Sequence, residues 1–139
     1  SRYLDNGGAL LVSGSFIGSD NAHDQAERQF IEEVLKFKYD GTAKADPSAQ
    51  VTGLNMRFDI YRQSTPEHYG ASSPDALLPA SKQAFSAFAY NGGQGAGVAY
   101  KGRNYRVISM GFPFECIKDV AVRHTAMKAM LHFLTDDAN

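Results

Sequence analysis

Three hydrophobic periods follow one another along this chain. Ala9 to Ser13 (ALLVS) is a continuous apolar run between glycines, as expected of a strand covered on both faces. A stripe at helical spacing comes next: Ala22, Ala26, Phe30 and Val34, widened by Ile31 and Leu35. It predicts a helix from Asp20 to about Lys38, with Asp20 or Asp24 as its N-cap. From Tyr39 to Gln63 the pattern weakens. KYDGTAKADPS is rich in turn formers, and VTGLNMRFDIYR has room for one or two strands. Gln63 to Pro79 carries three of the five prolines and reads as a long irregular loop.

The later half alternates more cleanly. Phe85, Ala87 and Ala89 oppose Ser86, Phe88 and Tyr90, and Asn91-Gly-Gly-Gln-Gly95 turns the chain. Gly97 to Lys101 returns, Gly102-Arg103-Asn104 turns again, and Tyr105 to Met110 follows, which predicts a β-meander. GFPFE interrupts. Asp119 then caps a last helix whose expected core face is Val120, Met127, Met130, Leu131 and Leu134. An early strand–helix alternation followed by clustered strands gives the expected class: α/β with an antiparallel β extension.

Composition narrows the picture. The 139 residues make one domain, 1–139, with 43% hydrophobic and 21% charged residues, as in folded globular chains. A net charge of −1 offers no field for nucleic acid, and no apolar run approaches the roughly 20 residues of a membrane span. The opening SRYLDNGG lacks a methionine, and Tyr3-Leu4 before Asn6-Gly7 reads as the close of a helix. The expectation is a fragment of a longer multidomain protein without its N-terminal strands. Cys116 is the single cysteine, so neither an intramolecular disulfide nor a cysteine-based zinc site is open to it.

Gly14-Ser15-Phe16-Ile17-Gly18 has the flanking glycines of a nucleophile elbow, the strained turn that exposes a central nucleophile after a strand. Its centre is Phe16, which has no attacking atom, and Ser13 and Ser15 stand off register. Local hydrogen bonding explains both hydroxyls more simply.

At this point YLDNGGALLVSGSFIGSD, VISMGFPFECI and RHTAMKAMLHFL together resemble the class I glutamine amidotransferase-like domain, a flavodoxin-like α/β fold. More narrowly, they are similar to its version in secreted Bacteroidetes proteins described as xanthan lyase-like or fibronectin type III/golvesin-associated. The likeness runs from Tyr3 to Leu134, with little from Tyr39 to Pro79. Active members of that family read Gly-x-Cys-x-Gly at the elbow and Gln-Phe-His-Pro-Glu at a second motif. The resemblance puts Phe16 at the cysteine's place and Pro113 at the histidine's, and keeps only Glu115. A carboxylate with neither base nor nucleophile to orient does no thiol chemistry. The resemblance thus implies a pseudoenzyme without a cofactor, placed outside the cell, in the periplasm or at the surface. Its partners would be other domains of a parent polysaccharide lyase or hydrolase, with a glycan as candidate ligand.

Other groups carry candidate chemistry beside it. Cys116 next to Glu115 is a poor thiolate, because a neighbouring carboxylate raises a thiol pKa. His124 and His132 are eight residues apart, too far for an i,i+4 metal pair, with His132 expected at the core border and His124 in solvent. Asp20, His23 and Asp24 are candidate ligand groups, more simply read as a helix start with no metal. Tyr61, Tyr69, Tyr90, Tyr100 and Tyr105 could stack on sugars, Tyr90 foremost, or simply pack a sheet. Gly92-Gly-Gln-Gly95 lacks the lysine of a phosphate loop. Two functions follow. One is a non-catalytic accessory or interaction module. The alternative is a hydrolase acting on a polysaccharide or peptidoglycan through Glu115 with Asp20 or Asp24.

Overall fold

The apolar run at Ala9–Ser13 is a strand, β1, and its alternate residues feed two separate cores. Ala9 and Leu11 pack on one side, Leu10 and Val12 on the other. A continuous apolar run is what such a two-sided position requires. The computed structural model describes residues 8–13, 25–42, 50–60, 75–90, 93–103, 105–112 and 114–135. After β1 come α1 (Gln25–Phe30), which passes into a π-helical turn at Ile31–Leu35, and the strands β2 (Phe37–Thr42), β3 (Gln50–Gly53) and β4 (Met56–Asp59). Then follow β5 (Asp75–Pro79), β6 (Ala84–Tyr90), β7 (Gly95–Lys101) and β8 (Arg106–Met110). A 3₁₀ turn at Phe114–Cys116 leads into α2 (Val120–Thr135).

Six strands form one sheet in the order β1-β8-β7-β6-β3-β4, and β2 and β5 form a separate ribbon. Only β1 and β8 run parallel; the other described pairs are antiparallel. The flavodoxin-like α/β expectation is therefore corrected. That fold needs a parallel sheet with helices on both faces, whereas this chain is mostly strand, in a curled, mixed half-barrel sheet with a small second sheet. The difference arises in 37–79, where β3 and β4 take up the one or two strands expected of VTGLNMRFDIYR, but β2 replaces the end of the expected helix and β5 the end of the expected loop. These strands are short, and their partners lie far along the chain: Val51 pairs with Tyr90 and Tyr39 with Leu77.

The curl can be followed from pairing alone. β4 ends the sheet three strands beyond β7, yet Ile60, just past it, forms an antiparallel bridge with Ile117, just past β8. Lys118 N–H also donates to Asp59 O at 2.9 Å. The far edge thus swings back to the segment that follows β8. Inside the curl lies the larger core, with Phe58, Phe88, Ile108, Met110, Phe112, Cys116 and, from α2, Ala126, Met130 and Leu134. On the opposite face, Val98 and Val107 pack against Leu77 of the ribbon and Ile31, Leu35 and Phe37 around α1.

The meander over 84–110 is present, and so is the final helix. Asp119 caps it, its Oδ1 accepting from Ala121 N–H at 2.8 Å and Val122 N–H at 3.3 Å. The early helix closes sooner than its stripe predicts. Lys36 turns left-handed (φ 67°) and its N–H returns to Ile31 O, so Phe37 is free to start β2. No helix of the described residues is long and apolar enough to cross a membrane.

Candidate functional site

Ser15, Phe16, Asp20, His23, Asp24 and Pro113 lie outside the described residues, as do Tyr61 and Tyr69. Of the remaining sequence candidates, Glu115 and Cys116 lie on the turn past the end of β8, and Tyr90 ends β6. Glu115 is exposed on the 3₁₀ turn. Cys116, next to it, is fully buried in the larger core. Burial pushes its thiol up to about 12, and the Glu115 charge acts in the same direction. The thiol is a packing group.

That shift has a consequence for stability. A thiol held neutral in the fold and free to ionise when unfolded stabilises fully below its unfolded value of 9.0, and this contribution is lost as pH rises toward about 12. Between pH 8 and 10 the protein should lose about 1.4 kcal/mol relative to Cys116→Ala, whose stability lacks this dependence. Paired urea titrations at the two pH values measure the difference.

The described tyrosines of the later strands are engaged by neighbouring groups. Tyr90 is half-buried, with its ring against Phe112 (centroids 6.3 Å apart) and its hydroxyl donating to Asp75 O at 2.7 Å. Tyr105 donates to Val34 O at 3.0 Å and packs on Tyr100, over whose ring Lys36 Nζ stands at 5.3 Å. His124 is exposed as expected, and His132 is exposed as well rather than at the core border. Among the described residues no group of three or more histidine, cysteine or acidic side chains could hold a metal.

The structure instead marks a surface that the sequence reading had assigned to the core. Of the five residues expected on the buried face of α2, Met130 and Leu134 are buried, but Val120 is 56% and Leu131 49% exposed. At 3.6 residues per turn, Val120, Met127 and Leu131 fall within roughly 40° of one line on the helix, apart from Ala126 and Met130. Leu134 continues the arc from Met127 toward Met130, so the apolar arc of the helix is wider than the sheet covers, and its uncovered edge forms a second stripe. The second stripe, with Phe114, lines an open groove of about 600 Å³.

Arg123, His124 and Lys128 border the same groove. Arg123 Nε is buried without a hydrogen-bond partner. α2 has no acidic residue in its 16, so the i,i+4 ion pairs that steady solvated helices are missing. A signal was available in the sequence: the apolar residues of 120–134 span too wide an arc for one buried face, and cations punctuate them without acids. Phe114 lines the groove beside the helix. Its N–H donates to Ser13 Oγ at 3.4 Å, which ties the 3₁₀ turn to the end of β1.

Fold and groove together define the class: a curled, mostly-β domain that presents the outer face of one capped helix. No protein-family model, curated protein or solved structure matches the chain. The amidotransferase-like resemblance is corrected by the mixed curled sheet and by the lack of any family match. Its flavodoxin-like, xanthan lyase-like and Bacteroidetes attributions fall with it.

Proposed function

We propose that this domain is a non-catalytic interaction module and that its working surface is the groove on α2. One observation carries the reading: a second apolar stripe on a helix already docked by its first, left open beside cations that lack partners. Large exposed apolar side chains gathered in a concavity are characteristic of binding surfaces. The residues first considered for chemistry support the same view, since Cys116 is a buried neutral thiol and Tyr90 is held by Asp75. The carboxylate-hydrolase alternative gains no observation, because Glu115 stands exposed and its proposed partners Asp20 and Asp24 lie outside the described residues. The secreted, glycan-related setting was implied only by the amidotransferase-like resemblance and forms no part of this proposal.

The test is selection of a displayed library of 16-residue helical peptides on the domain, with every binder re-measured on Leu131→Asp. This substitution sits on the exposed stripe and should change stability by no more than about 0.5 kcal/mol. Binders that weaken at least about tenfold on Leu131→Asp are expected. The reading is overturned if no binder depends on Leu131, or if the domain degrades a polysaccharide and Glu115→Gln abolishes that activity.

A further inference from the structure

We infer that the groove on α2 receives an amphipathic helix of a partner protein that carries carboxylates along the edge of its apolar face. The inference rests on the interaction reading above and specifies the partner's chemistry.

Shape comes first. From Val120 to Leu131 the apolar stripe is about 16 Å long at 1.5 Å per residue, three turns of helix. Apolar anchors at Val120, Met127 and Leu131 with a wall at Phe114 are what a ridge of i, i+3/i+4 and i+7 side chains fits into. A small molecule is a poorer match, since such ligands bury most of their surface in a pocket, and this groove is open along its length.

Charge decides what the ridge carries. Arg123, His124 and Lys128 line the groove, no acidic residue does among the described residues, and none of the three makes a side-chain hydrogen bond or ion pair. Arg123 is the informative one. At roughly 60° from the stripe it stands between the groove and the buried face, and its Nε–H is out of solvent without an acceptor. An unmet buried donor of this kind keeps its full desolvation penalty, which is larger on a charged group. A carboxylate meeting the guanidinium would satisfy it with a charge-assisted bond.

The same position argues against a membrane surface. Peripheral helices put apolar groups deep and cations outward at the headgroups, whereas here a cationic donor is buried beside the stripe. A bilayer also cannot enter a concavity between a helix and Phe114, but a helix ridge can.

The experiment is to sequence the Leu131-dependent binders and measure them by fluorescence anisotropy on Arg123→Gln and Arg123→Lys. Melting curves confirm that both variants are folded. The expected binders are acidic, with Glu or Asp flanking leucine-type residues at i, i+3/i+4 and i+7. Arg123→Gln should weaken them at least tenfold. Arg123→Lys should restore only part of that loss, because it returns the charge without the fork of donors. Replacing the binder's acids by amides should cost a similar factor, and raising salt from 50 to 500 mM should weaken the native pair. The inference is overturned by binders that depend on Leu131 but are neutral or basic, or that ignore Arg123; the interaction reading would survive either result. Leu131-dependent sedimentation with phosphatidylglycerol vesicles, in the absence of acidic peptide binders, overturns it in favour of a lipid surface.

Discussion

Phe112→Ala is expected to destabilise the domain by about 3–5 kcal/mol, the range for removing a fully buried phenylalanine. Phe112 is 0% exposed and stands where the curl closes. Its ring lies 6.2 Å from Phe58 near the far edge of the sheet and 6.3 Å from Tyr90 on β6. Phe58 continues the chain of rings to Phe88 at 6.0 Å, edge to face. Aromatic pairs in such geometry contribute about 0.5–1.5 kcal/mol beyond their buried area, so two pairs are lost with the one side chain. The site cannot collapse readily. The 3₁₀ turn that follows is tied to β1 through Ser13, and its next residue, Ile117, is bridged to Ile60. Urea unfolding monitored by far-UV circular dichroism measures the loss. Phe112→Leu, which keeps most of the volume, should cost less than about half as much. A loss below about 1.5 kcal/mol for the alanine variant would mean that the curl is not closed around this ring.

The same segment explains why the sequence suggested another fold. GFPFE after an apolar strand, and ALLVSGSFIG before a helix, match familiar motifs because strand ends in any compact sheet make similar demands. A two-sided strand such as β1 needs unbroken apolar residues whatever sheet it joins. The glycine after β8 answers a close backbone approach, and the phenylalanine beside it fills a core. None of these requirements is specific to a flavodoxin-like sheet. Direction of pairing decides between the folds, and a short apolar run carries no mark of whether its neighbour runs parallel or antiparallel.

Legibility followed the sequence distance of the contacts. β6, β7 and β8 pair with their chain neighbours across short turns, so alternation and glycine placement revealed them. β3 and β4 fall within VTGLNMRFDIYR, where one or two strands were expected, but the pairing of β3 with β6 was not legible because β6 lies far downstream; β5 was hidden because Gln63 to Pro79, with three of the five prolines, reads as loop. Asp119 was legible as a cap because capping needs only the next three residues. The groove was half legible. Val120, Met127 and Leu131 were recognised as a stripe but placed in the core with Met130 and Leu134, since spacing alone does not tell which arc of a wide apolar helix meets the sheet.

Gly111→Ala should cost on the order of 4 kcal/mol, although it adds one methyl group. A Cβ built on Gly111 would collide with the backbone carbonyl oxygen of Asp75. That neighbour is not free to retreat. Asp75 is fully buried, its N–H donates to Gly111 O at 2.7 Å, and its carbonyl accepts the Tyr90 hydroxyl at 2.7 Å. Gly111 N–H in turn donates to Ala96 O at 2.9 Å. The glycine is thus the point where the β2–β5 ribbon is fastened to β7 and β8. Overpacking at such a contact costs about 1–3 kcal/mol, and each hydrogen bond pulled out of line adds about 1 kcal/mol. The cause can be separated from a general core defect by a double-mutant cycle with Tyr90→Phe. Without the hydroxyl that holds it, the Asp75 carbonyl has room to move, so Gly111→Ala should cost at least about 0.5 kcal/mol less in that background. Strict additivity of the two substitutions would place the strain somewhere other than this clamp.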